Sequence, residues 1–178
     1  AGTIWFSFLA QSQDDQDRVF LDFDTSNTRD EVRRSAVSVF DHRLIIWNDG
    51  GGNTQFQNEF TLGQTALVLG KLEIGAGTTS GNDKLTLWID PDVSGGESGL
   101  TGAITLSNIN LIGADTSLTR IGVHSYRENN DLANGGLIDS IRLSDEVDAF
   151  EFVVGIPEPA TLTLLGLGGL LVLKRKRL

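Results

Sequence analysis

The sequence predicts an all-β fold, an antiparallel β-sandwich or jelly roll, followed by a hydrophobic helix at the C-terminus. About ten short stretches have strand character, Gly-, Asn- and Asp-rich breaks separate them, and no stretch shows a convincing amphipathic helical pattern. A chain of 178 residues is long enough for one domain with a sizeable core. The 21 glycines favour turns and strands over helices.

The predicted strands follow one another along the chain with loops between them. In residues 83–90, Leu85 and Leu87 alternate with Thr86 and Trp88. Alternation with period two is typical of a strand that has two different faces. The predicted strands are residues 3–10, 18–24, 35–40, 43–48, 54–60, 65–75, 83–90, 102–113, 119–126 and 136–144.

Two segments are open to other interpretations. Residues 27–40 would form a short helix if Asn27 or Thr28 capped it, since acidic residues follow in the first turn. Residues 147–159, "VDAFEFVVGIPEP", predict a last strand followed by an extended linker, because each Pro moves the preceding residue out of the helical region. We therefore expect the domain to end near Gly155.

Charge and composition exclude several classes of function. Residues 1–156 carry 10 basic and 23 acidic groups, a net charge of −13, which argues against nucleic-acid binding. The absence of Cys excludes disulfides, thiolate metal sites and thiol catalysis. The chain contains no Met and opens on a strand pattern, so we expect an initiator, a signal peptide and the N-terminal part of the domain upstream of Ala1.

The C-terminal tail combines an apolar run with a basic end. Residues 160–173 would form a helix of about 21 Å at ~1.5 Å per residue, which is short for a hydrocarbon core of roughly 30 Å. The segment is therefore marginal as a permanent anchor, although interfacial residues and snorkelling basic side chains would allow it to insert. Its basic end would lie in the cytoplasm, with the acidic body outside. The alternative is a buried strand or core helix.

This tail resembles the PEP-CTERM sorting signal of Gram-negative bacteria, because a Pro-Glu-Pro triplet, an apolar segment and a basic cluster occur in that order at the chain end. The resemblance implies recognition and cleavage near the triplet by an exosortase, after transient anchoring in the inner membrane with the C-terminus cytoplasmic. It also implies export to the cell surface or beyond, often in bacteria that make exopolysaccharide. The sorting residues are Pro157, Glu158, Pro159, Lys174, Arg175, Lys176 and Arg177.

The body resembles LamG-like, concanavalin A-like jelly-roll domains. The resemblance rests on "GTIWFSFLA", "KLTLWIDPD" and "GGLIDSIRLSD", in that order, and covers roughly residues 2–154. It implies a LamG-like domain over residues 1–154, a linker over 155–159 and the sorting helix over 160–178. Domains of this kind begin with a strand that pairs near the last one, and we expect that strand upstream of Ala1.

Four residues are candidates for ligand binding. Asp90 and Asp92 end a strand and enter a Gly-rich loop, where carboxylates and carbonyls would converge on Ca²⁺; the alternative, which the Asp-Pro turn pattern favours, is that they are solvated turn residues. Trp47 borders the loop "NDGGGN" and Trp88 shares the phase of Thr86, so both are candidates for stacking on sugars. Trp88 also lies in an apolar strand and is a candidate core residue.

Catalytic motifs are absent from the sequence. A glycosidase would need two carboxylates about 5–9 Å apart across a groove, and Glu59 and Glu73 each stand alone in their strand patterns. His42 and His124 form no metal-binding motif, and there is no G-x-S-x-G or phosphate-binding loop.

We therefore expect an exported, non-enzymatic surface or matrix protein that is adhesive or binds carbohydrate, including exopolysaccharide. The alternatives are an extracellular glycan hydrolase or lyase on the same sandwich and a matrix component without a ligand. Facing carboxylates in a groove would favour the enzyme.

Overall fold

A computed structural model describes residues 2–13, 17–24, 35–40, 42–47, 53–56, 59–75, 83–109, 111, 118, 120–127 and 136–155. Within these ranges the ten strands enumerated from the sequence are present, and a short α-helix follows the tenth strand. The strands are β1 (Gly2–Gln11), β2 (Asp17–Asp24), β3 (Ser35–Phe40), β4 (Arg43–Trp47), β5 (Asn53–Phe56), β6 (Ala66–Ile74), β7 (Asp83–Ile89), β8 (Ile104–Ile109), β9 (Arg120–Arg127) and β10 (Leu137–Ser144), and the helix is α1 (Ala149–Val154).

The strands form a β-sandwich of two five-stranded antiparallel sheets. Sheet A has the order β10-β1-β6-β7-β8 and sheet B the order β5-β4-β3-β2-β9. β1 lies between β6 and β10, with a register that runs from Trp5 opposite Ser144 to Gln11 opposite Leu137. The first described strand therefore pairs directly with the last one.

The main core lies between the two sheets and follows from the alternation along each strand. Phe6 and Phe8 on β1 and Leu21 on β2 are fully buried in it. Each such side chain contributes about 1.5–3 kcal/mol by leaving water. Gly70 on β6 lies opposite Phe6, and a Cβ at this position would overlap the Phe6 ring. The absence of a side chain at Gly70 therefore allows the aromatic ring to lie against the sheet.

The prediction of a final strand over residues 147–154 is wrong, because α1 occupies Ala149–Val154. Ala149, Phe150 and Val153 are buried on one helical face, against the outer surface of sheet A. Gly155 ends the helix in the left-handed conformation, with φ 76° and its N–H directed to the carbonyls of Glu151 and Phe152. The fold is therefore mostly β with one short helix near the C-terminus.

The edge strands of sheet A are both irregular. Asn108 on β8 and Ser140 on β10 have positive φ values of 59° and 53°. The register shifts between Asp83 and Lys84 opposite β8, and between Ser7 and Leu9 opposite β10. An extra residue in a left-handed conformation is typical of a β-bulge, which bends and twists the strand.

Two predictions lie partly or wholly outside the described residues. Of the segment proposed as an alternative helix, residues 35–40 form β3 and residues 27–34 are not described. The predicted tail helix over 160–178 is also outside the described part of the chain. Among the described residues, no helix is both long and apolar enough to cross a membrane.

Candidate functional site

Trp47 lies at the end of β4 on the outer face of sheet B. Its neighbours in register are Ala36 on β3 and Asn53 on β5. The indole Nε1 donates a hydrogen bond to the Ser38 hydroxyl at 3.1 Å, and that hydroxyl donates to the Ile45 carbonyl at 3.2 Å. Because Ser38 is fully buried, this chain of hydrogen bonds fixes the ring of the half-buried Trp47 against the sheet.

A second aromatic ring lies beside Trp47 on the same face. Phe20 on β2 has its ring centroid 6.5 Å from that of Trp47, with the planes tilted by 40°. Both side chains are half-buried. Asp22 follows on the same face of β2, and Gly122 stands opposite it on β9. A Cβ at Gly122 would come to 3.4 Å from an Asp22 carboxylate oxygen, so the glycine leaves room for this carboxylate.

Polar side chains border the aromatic pair on the β5 side. Arg43 Nη1 donates to Gln55 Oε1 at 3.4 Å, and Gln55 Nε2 donates to Asn53 Oδ1 at 3.3 Å. Asn53 and Gln55 are exposed, so each amide also presents hydrogen-bonding groups to solvent. We call this region the Trp47 face, defined by Phe20, Asp22, Arg43, Trp47, Asn53 and Gln55.

The chemistry of the Trp47 face suits a ligand with both apolar and hydroxyl-rich surfaces. Aromatic rings supply large, rigid contact areas at little entropic cost. Amides, a guanidinium and a carboxylate supply donors and acceptors for hydroxyl groups. Binding sites for small molecules combine these two elements, an apolar aromatic surface and a few polar groups that fix orientation.

Trp88 lies on the outer face of sheet A, in the phase that the alternation predicts, but it is only 7% exposed. Its ring stacks on Trp5 with centroids 5.7 Å apart, and Phe150 of α1 meets Trp5 edge-on at 5.2 Å. The Trp88 ring therefore belongs to a second apolar cluster between sheet A and α1. In this arrangement its faces are not accessible to a sugar, so the sugar-stacking hypothesis depends on Trp47.

Asp90 and Asp92 are both engaged with the backbone. The Asp90 carboxylate accepts the Leu67 N–H at 2.7 Å, and its backbone is left-handed with φ 45°. The Asp92 carboxylate accepts the Ser94 N–H at 2.9 Å. Hydrogen bonds from the Ser94 side chain and backbone lower the pKa of the exposed Asp92 carboxyl. The Asp90 carboxylate thus supports the pairing of β6 with β7, and the Asp92 carboxylate stabilises the turn at Ser94. Among the described residues no group of three His, Cys, Asp or Glu side chains converges as a metal site.

The other titratable candidates also have local partners. Glu73 forms an ion pair with Lys84 at 2.8 Å. The His42 Nδ1 lies 2.9 Å from the Phe60 carbonyl, in a hydrogen bond that connects the segment before β4 with the segment before β6. His124 lies on β9 opposite Phe20, and its side chain is outside the described part of the structure. The described residues therefore bring none of these groups into a catalytic arrangement.

The sequence analysis missed Phe20 and α1. The alternation that places Val19 and Leu21 in the core also places Phe20 on the outer face. The sequence therefore predicts the side of the sheet on which Phe20 lies. Its position beside Trp47 depends on the pairing of β2, β3 and β4, which the local pattern does not contain.

The segment from Gly155 towards the C-terminus matches a known sequence motif. Residues 155–177 match the PEP-CTERM protein-sorting motif. The PEP-CTERM motif indicates exosortase-dependent export sorting, and it implies an exported protein of the cell surface that an exosortase processes. Its Pro157 to Pro159 triplet and its basic residues lie outside the described part of the chain. The chain has no significant match among curated proteins or solved structures.

Proposed function

We propose that this chain is a non-enzymatic surface or extracellular-matrix protein that binds a polysaccharide through the Trp47 face. The PEP-CTERM motif supports delivery to the cell exterior. The observation that carries the binding proposal is the pair of half-buried rings of Phe20 and Trp47, 6.5 Å apart, beside exposed amides. The resemblance of the body to LamG-like, concanavalin A-like domains supports a jelly-roll type of sandwich.

Charge favours a neutral polysaccharide over an anionic one. Residues 1–156 carry a net charge of −13. A polyanionic glycan would be repelled by this field, most strongly at low ionic strength. A neutral hexose polymer pays no such cost, and its C–H and hydroxyl surfaces match the aromatic and amide groups of the Trp47 face.

The test is affinity electrophoresis of the purified protein through gels containing cellulose derivatives, xylan, dextran or alginate, followed by calorimetry on any polymer that retards it. We expect retardation by a neutral polymer and less by alginate. Trp47→Ala should weaken binding about tenfold or more, because it removes the larger ring. Phe152→Ala is the matched control, since it removes an exposed aromatic residue from α1, which packs on sheet A.

Equal retardation of wild type and Trp47→Ala would exclude the Trp47 face as the binding site. Free mobility in every neutral polymer would leave the protein as a matrix component without a glycan ligand. Release of reducing ends from any polymer would instead support the alternative, a glycan hydrolase.

A further inference from the structure

The last helix of the sandwich ends where the sorting motif begins. α1 extends from Ala149 to Val154, and the PEP-CTERM motif occupies residues 155–177. Only Gly155 and Ile156 separate the helix from Pro157 in the sequence. A protease that acts on this motif therefore meets the folded body within one or two residues of its substrate.

Side chains from β1 and β10 hold the last turn of α1 on sheet A. Ser7 Oγ donates a hydrogen bond to the Val153 carbonyl at 2.6 Å, between residues 146 positions apart in the chain. Arg142 Nη1 donates to the Phe152 carbonyl at 3.3 Å. Phe150 packs edge-on against Trp5 at 5.2 Å. The helix is therefore attached by tertiary contacts with a strand from the opposite end of the sequence.

These contacts hold a helix that has little stability of its own. Six residues are too few for an isolated helix to persist in water. The N-cap residue Asp148 makes no side-chain capping bond, and Phe152 stays 54% exposed.

We propose that α1 gates the processing of the sorting motif: docked on sheet A it withholds the residues next to Pro157, and released from sheet A it supplies an extended substrate to the exosortase. This inference rests on the processing that the motif implies. A segment in a helix has its backbone groups engaged internally and must open before it can enter a protease cleft. When opening is fast relative to cleavage, the processing rate follows the population of the open state.

Pulse–chase labelling of the full chain in a host that contains the exosortase measures this rate as conversion of the precursor to the processed form. Phe150→Ala should raise the rate about tenfold or more, because it removes the main apolar contact of α1. Ser7→Ala removes only the hydrogen bond to Val153 and should give a smaller increase in the same direction. Leu44→Ala is the matched control, since it weakens the main core in sheet B and leaves α1 untouched.

Faster processing of the two α1 variants with an unchanged rate for Leu44→Ala is the expected result. Unchanged or slower processing of Phe150→Ala would overturn the gate. Equal acceleration by Leu44→Ala would also overturn it, because the processing rate would then depend on the global stability of the domain. If the intact mass of the exported wild-type protein shows that the basic cluster is still present, the sorting assignment is refuted instead.

Amide hydrogen exchange on the unprocessed chain tests the gate independently of the exosortase. We expect residues 149–155 to exchange through a local opening, well before β1 and β6, and to lose protection in Phe150→Ala while β1 and β6 still exchange more slowly than α1. Equal protection of α1 and β1 in the wild type would contradict the proposal.

Discussion

Each sheet has a tryptophan on its outer face for the same reason, but the two side chains have different surroundings. Trp88 on sheet A and Trp47 on sheet B both point away from the main core, as alternation along β7 and β4 dictates. Trp88 is covered by a second apolar cluster under α1, whereas Trp47 stays half-buried beside Phe20. The comparison shows that alternation determines the face of a side chain, and that distant segments determine whether this face meets water.

The polar groups of the two faces differ in the same way. On sheet A, Lys71 forms an ion pair with Glu97 at 2.6 Å and lies 5.1 Å above the Trp5 ring. On sheet B, the exposed amides of Asn53 and Gln55 bond to each other and still face solvent. Sheet A thus directs these polar groups towards its own structure, and sheet B presents some of its polar groups to solvent.

The largest expected contrast is in stability when each tryptophan is truncated. Trp88→Ala should lower the free energy of unfolding by about 3–5 kcal/mol, since it empties a buried site between Trp5 and α1. Trp47→Ala should cost about 1–2 kcal/mol, because the ring is only partly buried. Urea denaturation of both variants measures the difference, and equal losses would refute the contrast between the faces.

A smaller contrast is expected for the two buried serines. Ser7→Ala and Ser38→Ala should each cost about 1–2 kcal/mol, because each leaves buried hydrogen-bonding groups without a partner. The consequences should separate by face. Ser38→Ala frees the Trp47 indole and should increase acrylamide quenching of its fluorescence, whereas Ser7→Ala should speed amide exchange in α1. Unchanged quenching in Ser38→Ala would contradict the role given to the Ser38 hydroxyl.

The smallest effect concerns Asp92, in the turn after β7 at the rim of sheet A. Hydrogen bonds from Ser94 lower its pKa, so the folded state favours the carboxylate. Its small contribution to stability is present above the ordinary pKa of an aspartate and is lost as the pH falls through the lowered pKa. NMR titration of the Asp92 carboxyl should show the low value, and Ser94→Ala should return it towards the ordinary one. An unshifted titration in the wild type would contradict this.

The strands were predictable because their signal is local. Period-two alternation, β-rich apolar composition and the Gly-, Asn- and Asp-rich breaks together predicted the strands of both sheets. The same rule failed at α1, where Phe150, Phe152 and Val154 alternate like a strand. The helix instead buries Ala149, Phe150 and Val153 and exposes Phe152. Gly155 was a usable signal, since a glycine after an apolar segment is typical of a helix C-terminus.

The candidate site was predictable only in part. Its central residue, Trp47, followed from its position beside a Gly-rich loop. Its second ring, Phe20, is brought there by strand pairing across β3, and the cover over Trp88 comes from a helix near the other end of the chain. Both depend on contacts between residues far apart in sequence, which no local pattern contains.

The bulges at Asn108 and Ser140 have a consequence for life at a crowded cell surface. A straight, open edge strand would allow one molecule to pair with the sheet of the next, as occurs in the edge-to-edge strand pairing of fibrils. Left-handed residues in both edge strands of sheet A bend the row of N–H and C=O groups that such growth requires. Copies concentrated at a cell surface would then remain separate folded units at this sheet.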